Sequence, residues 1–400
     1  MRSAPQWNPC EVVSRSVEPS TRVVGFVPGG MNSVISRRQI LAALPAGAVF
    51  AWHGPSSILA QDGEEITAAF VYIGPIGDMG WTYAHDQGRL ALEAALPNVK
   101  TTYVENVAEG SADSERIIRQ LAQDGAKIVV TTSFGYMDAT INVAKDFPDT
   151  VFIHISGYKT ADNVGTAFAK IEEPRYVSGY IAGKMSASGN LGYVAAFPIP
   201  EVIRGINAFT LGVRAANPAA TVKVVWTNTW FNPQDERLAA EALLEGGADV
   251  LAQHQDTAGP SQAAEAAGKY SIGYDSDQAS SAPKAVLTSV VFNWGPFYIQ
   301  TAQQVLDGTW STNQYWGSWQ DGVVDLAPVS DLVPAEIATE AAAMADKFRA
   351  GEQTIFTVFT GPINDQTGAE KVAADTAMTA EELLSMAWFV EGVDGEIPAS

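Results

Sequence analysis

The chain is short of three things, and each shortage excludes a class of function. There is one cysteine in 400 residues, Cys10, so residues 61–400 contain no disulfide framework, no thiol nucleophile and no cysteine-bound zinc. There are four histidines, and His85, His154 and His254 have no spacing that would gather a metal. Positive charge is scarce. Lys and Arg number 24 against 45 Asp and Glu, a net of -21, and five of the basic residues lie in the first sixty. A body this acidic repels polyphosphate, so no nucleic-acid partner is expected. No phosphate-cradling G-x-x-x-x-G-K-[ST] loop and no G-x-S-x-G elbow occurs, and Gly74, Gly77 and Gly80 have the wrong spacing for a dinucleotide fingerprint. No cofactor, metal or catalytic residue is expected.

What is present is an ordinary globular composition, 46% hydrophobic and 17% charged, long enough for two lobes and a leader. The leader reads as Ser36-Arg37-Arg38-Gln39-Ile40-Leu41, a weakly apolar stretch to Trp52, and Ser56-Ser57-Ile58-Leu59-Ala60 before a cut near Gln61. That order is a twin-arginine export signal starting at Met31, with residues 1–30 an upstream extension. The apolar stretch is too short to span a membrane, and no cysteine follows it to carry a lipid. A soluble periplasmic protein is expected.

From Ile66 the chain alternates apolar runs of strand length with helical patterns. Strands are expected at Ile66–Ile73, Val99–Val107, Lys127–Thr132 and Thr150–Ile155, with helices between them, and Gly165–Lys184 reads as a crossover. A second series follows with strands at Asn190–Ala196, Val222–Thr227, Asp249–Gln253 and Lys269–Gly273. Strands without polar alternation, separated by helices, indicate parallel sheets covered on both faces. The expected fold is therefore α/β, with two lobes: residues 61–167 and 288–325 in lobe one, 168–287 and 326–400 in lobe two.

Ligands of open α/β sheets sit at the carboxyl ends of strands. The loops at those ends carry Asp78 and Trp81, then Ser133, Phe134 and Tyr136, in lobe one. In lobe two they carry Phe197, Trp230, His254 with Asp256, and Asp275 with Asp277, and the return strand ends at Phe292-Asn293-Trp294. Aromatic faces from two lobes can sandwich a flat ring while carboxylates and an Asn amide bond its edge, which is the chemistry of a purine. The blander alternatives stay open: Asp78 as a helix cap, Asp275 and Asp277 as turn residues, His154 as a structural strand residue.

Four segments then carry a resemblance: Gly77-Asp78-Met79-Gly80-Trp81-Thr82, Phe134-Gly135-Tyr136-Met137-Asp138, Tyr176–Gly183, and Gly273-Tyr274-Asp275-Ser276-Asp277-Gln278. Over about Ile66 to Phe359 the chain resembles the basic membrane protein (BMP) family of substrate-binding proteins, a purine nucleoside receptor-like group of type I periplasmic binding proteins. The resemblance implies a bilobal receptor that closes on its ligand and hands it to an ABC permease, working as a monomer and catalysing nothing. It implies that Asp78, Asp275 and Asp277 contact the ligand and that Trp81 stacks on it. Family members that bind nucleosides commonly carry a Lys where this chain reads Phe292-Asn293-Trp294. Loss of that donor and the added bulk favour a free base, adenine first, over a nucleoside. A nucleoside receptor, a periplasmic sensor and, further off, a nucleoside-processing enzyme are the alternatives. Unlike many family members, this chain has no lipoprotein signature.

Overall fold

The computed structural model describes residues 65–398; the expected export signal, Met31 and Cys10 lie outside the described residues. The first sheet has six strands in the order β11-β5-β4-β3-β1-β2 and the second has seven, β12-β10-β9-β8-β6-β7-β15, with strands numbered in chain order. The first sheet is built from β1 (Ile66–Val71), β2 (Val99–Val104), β3 (Ile128–Thr131), β4 (Val151–Ile155), β5 (Val164–Ala169) and the late strand β11 (Gln314–Gly317). The second is built from β6 (Asn190–Ala195), β7 (Thr221–Trp226), β8 (Val250–His254), β9 (Tyr270–Asp275), β10 (Val286–Phe292), β12 (Val324–Leu326) and β15 (Val393–Asp394). Among the described residues, all pairings within these two sheets are parallel except the edge pair of β10 with β12.

The local reasons for these elements lie in the residues. β1, β3 and β8 are buried almost throughout, as strands covered on both faces must be. Helix α1 (Trp81–Ala95) follows β1, and α2 (Ala112–Gln123) follows β2. The Ser111 hydroxyl accepts from the Ser114 N–H at 3.2 Å and fixes where α2 starts. In lobe two, α4 (Glu172–Met185) and α5 (Pro200–Ala216) pack on each other, and α6 (Pro233–Glu245) starts under an Asn232 cap with Pro233 in its first turn.

Several elements differ from the sequence reading. Gly165–Lys184 is not only a crossover: it begins with β5, whose small residues Gly165, Thr166 and Ala167 carry little hydrophobic signal. The strand Val286–Phe292 stays in the lobe-two sheet, paired with β9, so the chain returns to lobe one after Phe292 rather than at 288. There α8 (Gly295–Leu306) packs on α1, and β11 joins β5. The chain crosses again before β12, so Val324 and Asp325 belong to the lobe-two sheet. Helix α9 (Ala335–Arg349) then packs on α4. Of the C-terminal segment, β15 extends the second sheet beside β7, with Val393 opposite Val222, and a small hairpin of β13 (Ile363–Asn364) and β14 (Glu370–Val372) precedes it. No helix among the described residues is long and apolar enough to cross a membrane.

Candidate functional site

The carboxyl ends of both sheets face one cavity, and each lobe supplies one wall. Lobe one contributes Ile73, Trp81, Ser133, Phe134 and Ser156; lobe two contributes Glu201, Trp230, His254, Asp256 and Tyr274. The lobes meet tightly at the rim. The Ser276 hydroxyl of lobe two donates to the Met79 carbonyl of lobe one. Gly80 lies so close to lobe two that a Cβ there would come within 2.1 Å of the Asp256 carbonyl oxygen.

Trp81 opens α1 and its indole N–H donates to the Thr132 carbonyl, which fixes the ring. Its edges pack against His85 at 4.3 Å and Phe292 at 5.2 Å between ring centres. Behind it Trp294 stacks on Phe292 and on His85, at 5.4 and 4.6 Å. Trp230, on the loop after β7, is flanked by Phe197 at 5.0 Å and by His254. Phe134 is exposed at the mouth.

The lobe-two wall holds the ionisable groups. Arg175, buried in α4, donates to the Gln253 carbonyl at 3.1 Å and to Nδ1 of His254 at 3.2 Å. A guanidinium can only donate, so Nδ1 accepts and the proton of the neutral ring sits on Nε2. That N–H points at the Tyr274 oxygen, 3.2 Å away, and at Glu201, 3.5 Å away. Burial holds the His254 pKa well below its ordinary value, helped by Arg175 and Arg204. The Tyr274 hydroxyl hydrogen is thereby left to serve the cavity. Burial pushes the Glu201 carboxyl up to about 7. Asp256 and Asp275 are both raised well above the usual range, first by burial and then by neighbouring acids; Asp275 weighs first on Asp256, and Asp78 on Asp275. Buried among other acids, both carboxyls are biased toward the neutral, protonated form. Asp275 sits at φ +65°, a left-handed conformation that Asp tolerates, with neither carboxylate oxygen hydrogen-bonded.

The structure thus brings Trp81, Phe134, Trp230 and His254 together on the cavity, with Phe197 behind Trp230 and Asp275 buried beside the cavity-lining Asp256. Others go elsewhere. The Asp78 carboxylate accepts from the N–H groups of Gly80, Tyr83 and Thr82 at 2.8, 3.0 and 3.1 Å and caps α1. Burial nevertheless pushes its pKa up to about 6. Tyr136 is wholly buried in the lobe-one core, its hydroxyl donating to the Val107 carbonyl, because a tight helical turn rotates the ring inward. Asp277 is an exposed turn residue accepting from the Ala279 N–H. Asn293 is exposed and donates to the Gly322 carbonyl, and Trp294 is sealed behind Trp81, so neither lines the cavity. Ser156, Glu201 and Tyr274 were not singled out from sequence as site residues. Tyr274 lies inside a strand and Glu201 inside a helix's first turn, places the loop rule does not search.

Comparison with known proteins agrees with this architecture. A family model described as "ABC transporter substrate-binding protein PnrA-like", Bmp, matches residues 65–355. The chain belongs to the Bmp family of ABC transporter substrate-binding proteins. A purine-binding protein of Brucella abortus (strain 2308) is 46% identical over 336 residues, covering 84% of this chain and 95% of the relative. A Haloferax volcanii protein whose name assigns it to glucose binding in an ABC transporter is 40% identical over 347 residues, covering 86% and 83%. Among solved structures, an ABC transporter solute-binding protein from Aeropyrum pernix K1 superposes with a TM-score of 0.63 at 17% identity, covering 72% of this chain and 92% of that one, a likeness of fold. As a Bmp-family protein this chain binds a small-molecule solute for an ABC permease and is not an enzyme.

Proposed function

We propose that this protein captures a purine base, adenine foremost, in the cleft between its lobes and delivers it from the periplasm to an ABC permease. The observation that carries this reading is the pairing of two tryptophans, Trp81 and Trp230, one from each lobe, around a small cavity edged by Glu201, Asp256 and Tyr274. The tryptophan faces provide stacking surface for a planar ring. The carboxyls and hydroxyls present donors and acceptors to its edge N–H groups and ring nitrogens. The free-base preference rests on how closely the walls approach, with Trp81 packed against Phe292 and the rim closed by Ser276 and Gly80, which leaves little room for a ribose, and not on Asn293 or Trp294. The purine-binding relative supports the same reading.

A sugar is the second reading, because aromatic faces with carboxylate edges also suit a pyranose and one relative is named for glucose. Calorimetry with adenine, adenosine and glucose decides between them. Tight binding of adenine, weaker binding of adenosine and none of glucose is expected; heat with glucose alone overturns the purine reading. The export reading predicts that replacing Arg37 and Arg38 by Lys leaves the protein in the cytoplasm, checked by fractionation. The expected oligomeric state, monomer, is tested by sedimentation.

A further inference from the structure

Glu109 belongs to lobe one, on the loop after β2, and does not line the inner cavity. One of its carboxylate oxygens accepts from the Ser133 hydroxyl and, at 3.0 Å, from the Gly135 N–H. Both donors belong to its own lobe. A Cβ at Gly135 would meet that carboxylate at 2.6 Å, so the loop is shaped to seat it. The other oxygen accepts from Trp230 Nε1 of lobe two at 3.2 Å.

We infer that Glu109 is a cross-lobe positioning residue, preassembled in lobe one, that orients the Trp230 ring only when the cleft closes. The argument has three steps. Ser133 and Gly135 hold the carboxylate in place without help from lobe two, so it stays in place when the lobes part. Trp230 is only half-buried and its ring is propped in its own lobe by Phe197 and His254. Its indole N–H, however, has its partner in the opposite lobe. A hydrogen bond to a charged acceptor is among the stronger ones and is directional, so closure sets the tilt of the ring. The stacking face of lobe two is therefore completed by lobe one. Stacking and closure become one event, and an unclosed cleft holds a planar solute less well than its lobe-two groups alone would suggest. The inference rests on the purine reading only for its probe.

The test is a double-mutant cycle on adenine dissociation, with Glu109→Ala, Trp230→Phe and the pair. Phe keeps an aromatic face and lacks the N–H. Each single change is expected to speed dissociation about tenfold, the pair no more than either alone, with association little changed. If Glu109 only shaped its own loop, its removal would act equally in the Trp230→Phe background, and that additive result overturns the inference. A second readout needs no ligand. In the full chain with Cys10→Ser, spin labels at the exposed positions Lys145→Cys and Glu245→Cys, one in each lobe, report the lobe separation. Glu109→Ala is expected to shift the ligand-free distances towards the open form, and Trp230→Phe to do the same without further effect in the pair. Unchanged distances in both single variants overturn the inference. Failure of wild-type protein to bind adenine, with these distance shifts present, would instead overturn the purine reading and leave Glu109 in its role.

Discussion

The two walls of the cleft are made of different chemistry. The lobe-one wall, with Ile73, Trp81, Ser133, Phe134 and Ser156, contains no ionisable side chain; the lobe-two wall contains Glu201, His254, Asp256 and Tyr274. All four of the latter have pKa values displaced by burial. Closing lobe one over lobe two therefore desolvates these acids and brings Asp78 and Glu109 of lobe one near Asp256, and both effects cost free energy. A ligand that offers donors to Glu201 and Asp256 offsets that cost, and closure without one does not. Lobe one thus contributes apolar surface and the Glu109 acceptor, while lobe two contributes the ionisable groups of the cleft.

The comparison breaks most visibly if the ionisable wall loses its support. Arg204 and Glu172 form a wholly buried ion pair at 2.6 Å, and Arg204 also donates to the Leu383 carbonyl of the C-terminal segment. Arg204→Met strands Glu172 and is expected to lower unfolding free energy by about 3–5 kcal/mol in urea titration. The lobe-one surface arginine Arg119, exchanged in the same way, leaves the midpoint unchanged. Next in size is the rim. Gly80→Ala puts a methyl group against the Asp256 carbonyl. Solute affinity should fall about a hundredfold, roughly 2.7 kcal/mol, by calorimetry, while the unfolding midpoint of the ligand-free protein moves little. A midpoint that falls with the affinity would show that the rim contact stabilises the fold rather than gating closure.

Smaller effects sharpen the contrast between the two cleft tryptophans. Trp230→Ala is expected to weaken binding roughly tenfold to thirtyfold and to change stability little, because the ring is half-buried. Trp81→Ala should affect both, because Trp81 is part of the core. The last contrast is a pH dependence. The Glu201 carboxyl binds its proton more tightly folded, at about 7, than unfolded, near 4.5. Its contribution is therefore fully present below pH 4.5 and lost as pH rises through 7. Thermal melts of wild type and Glu201→Gln should diverge across that window, with the variant gaining relative stability as pH rises. Parallel curves would place Glu201 in contact with solvent.

Much of this could be read along the chain because strand-length apolar runs and their carboxyl ends are local signals. Trp81, Phe134, Trp230 and His254 were found by the rule that ligands sit at those ends. Tyr136, Asp277, Asn293 and Trp294 also lie just beyond the carboxyl ends of strands, yet the rule cannot say which way a side chain turns. Tyr136 rotates into the core because its turn is tight, and Trp294 packs inward because α8 closes over α1. Asp78 met the simpler demand of the free N–H groups at the start of α1.

The sequence by itself determined the alternating α/β pattern, the division into two lobes and the lack of any cysteine after Cys10, since each follows from residue type and short-range spacing. Only the tertiary structure decided that β10 stays in lobe two, that Glu201 and Tyr274 join the cleft, and that a lobe-one glutamate reaches a lobe-two tryptophan. Those facts depend on how separate segments of the chain are packed against each other, and no local pattern in the chain encodes that register.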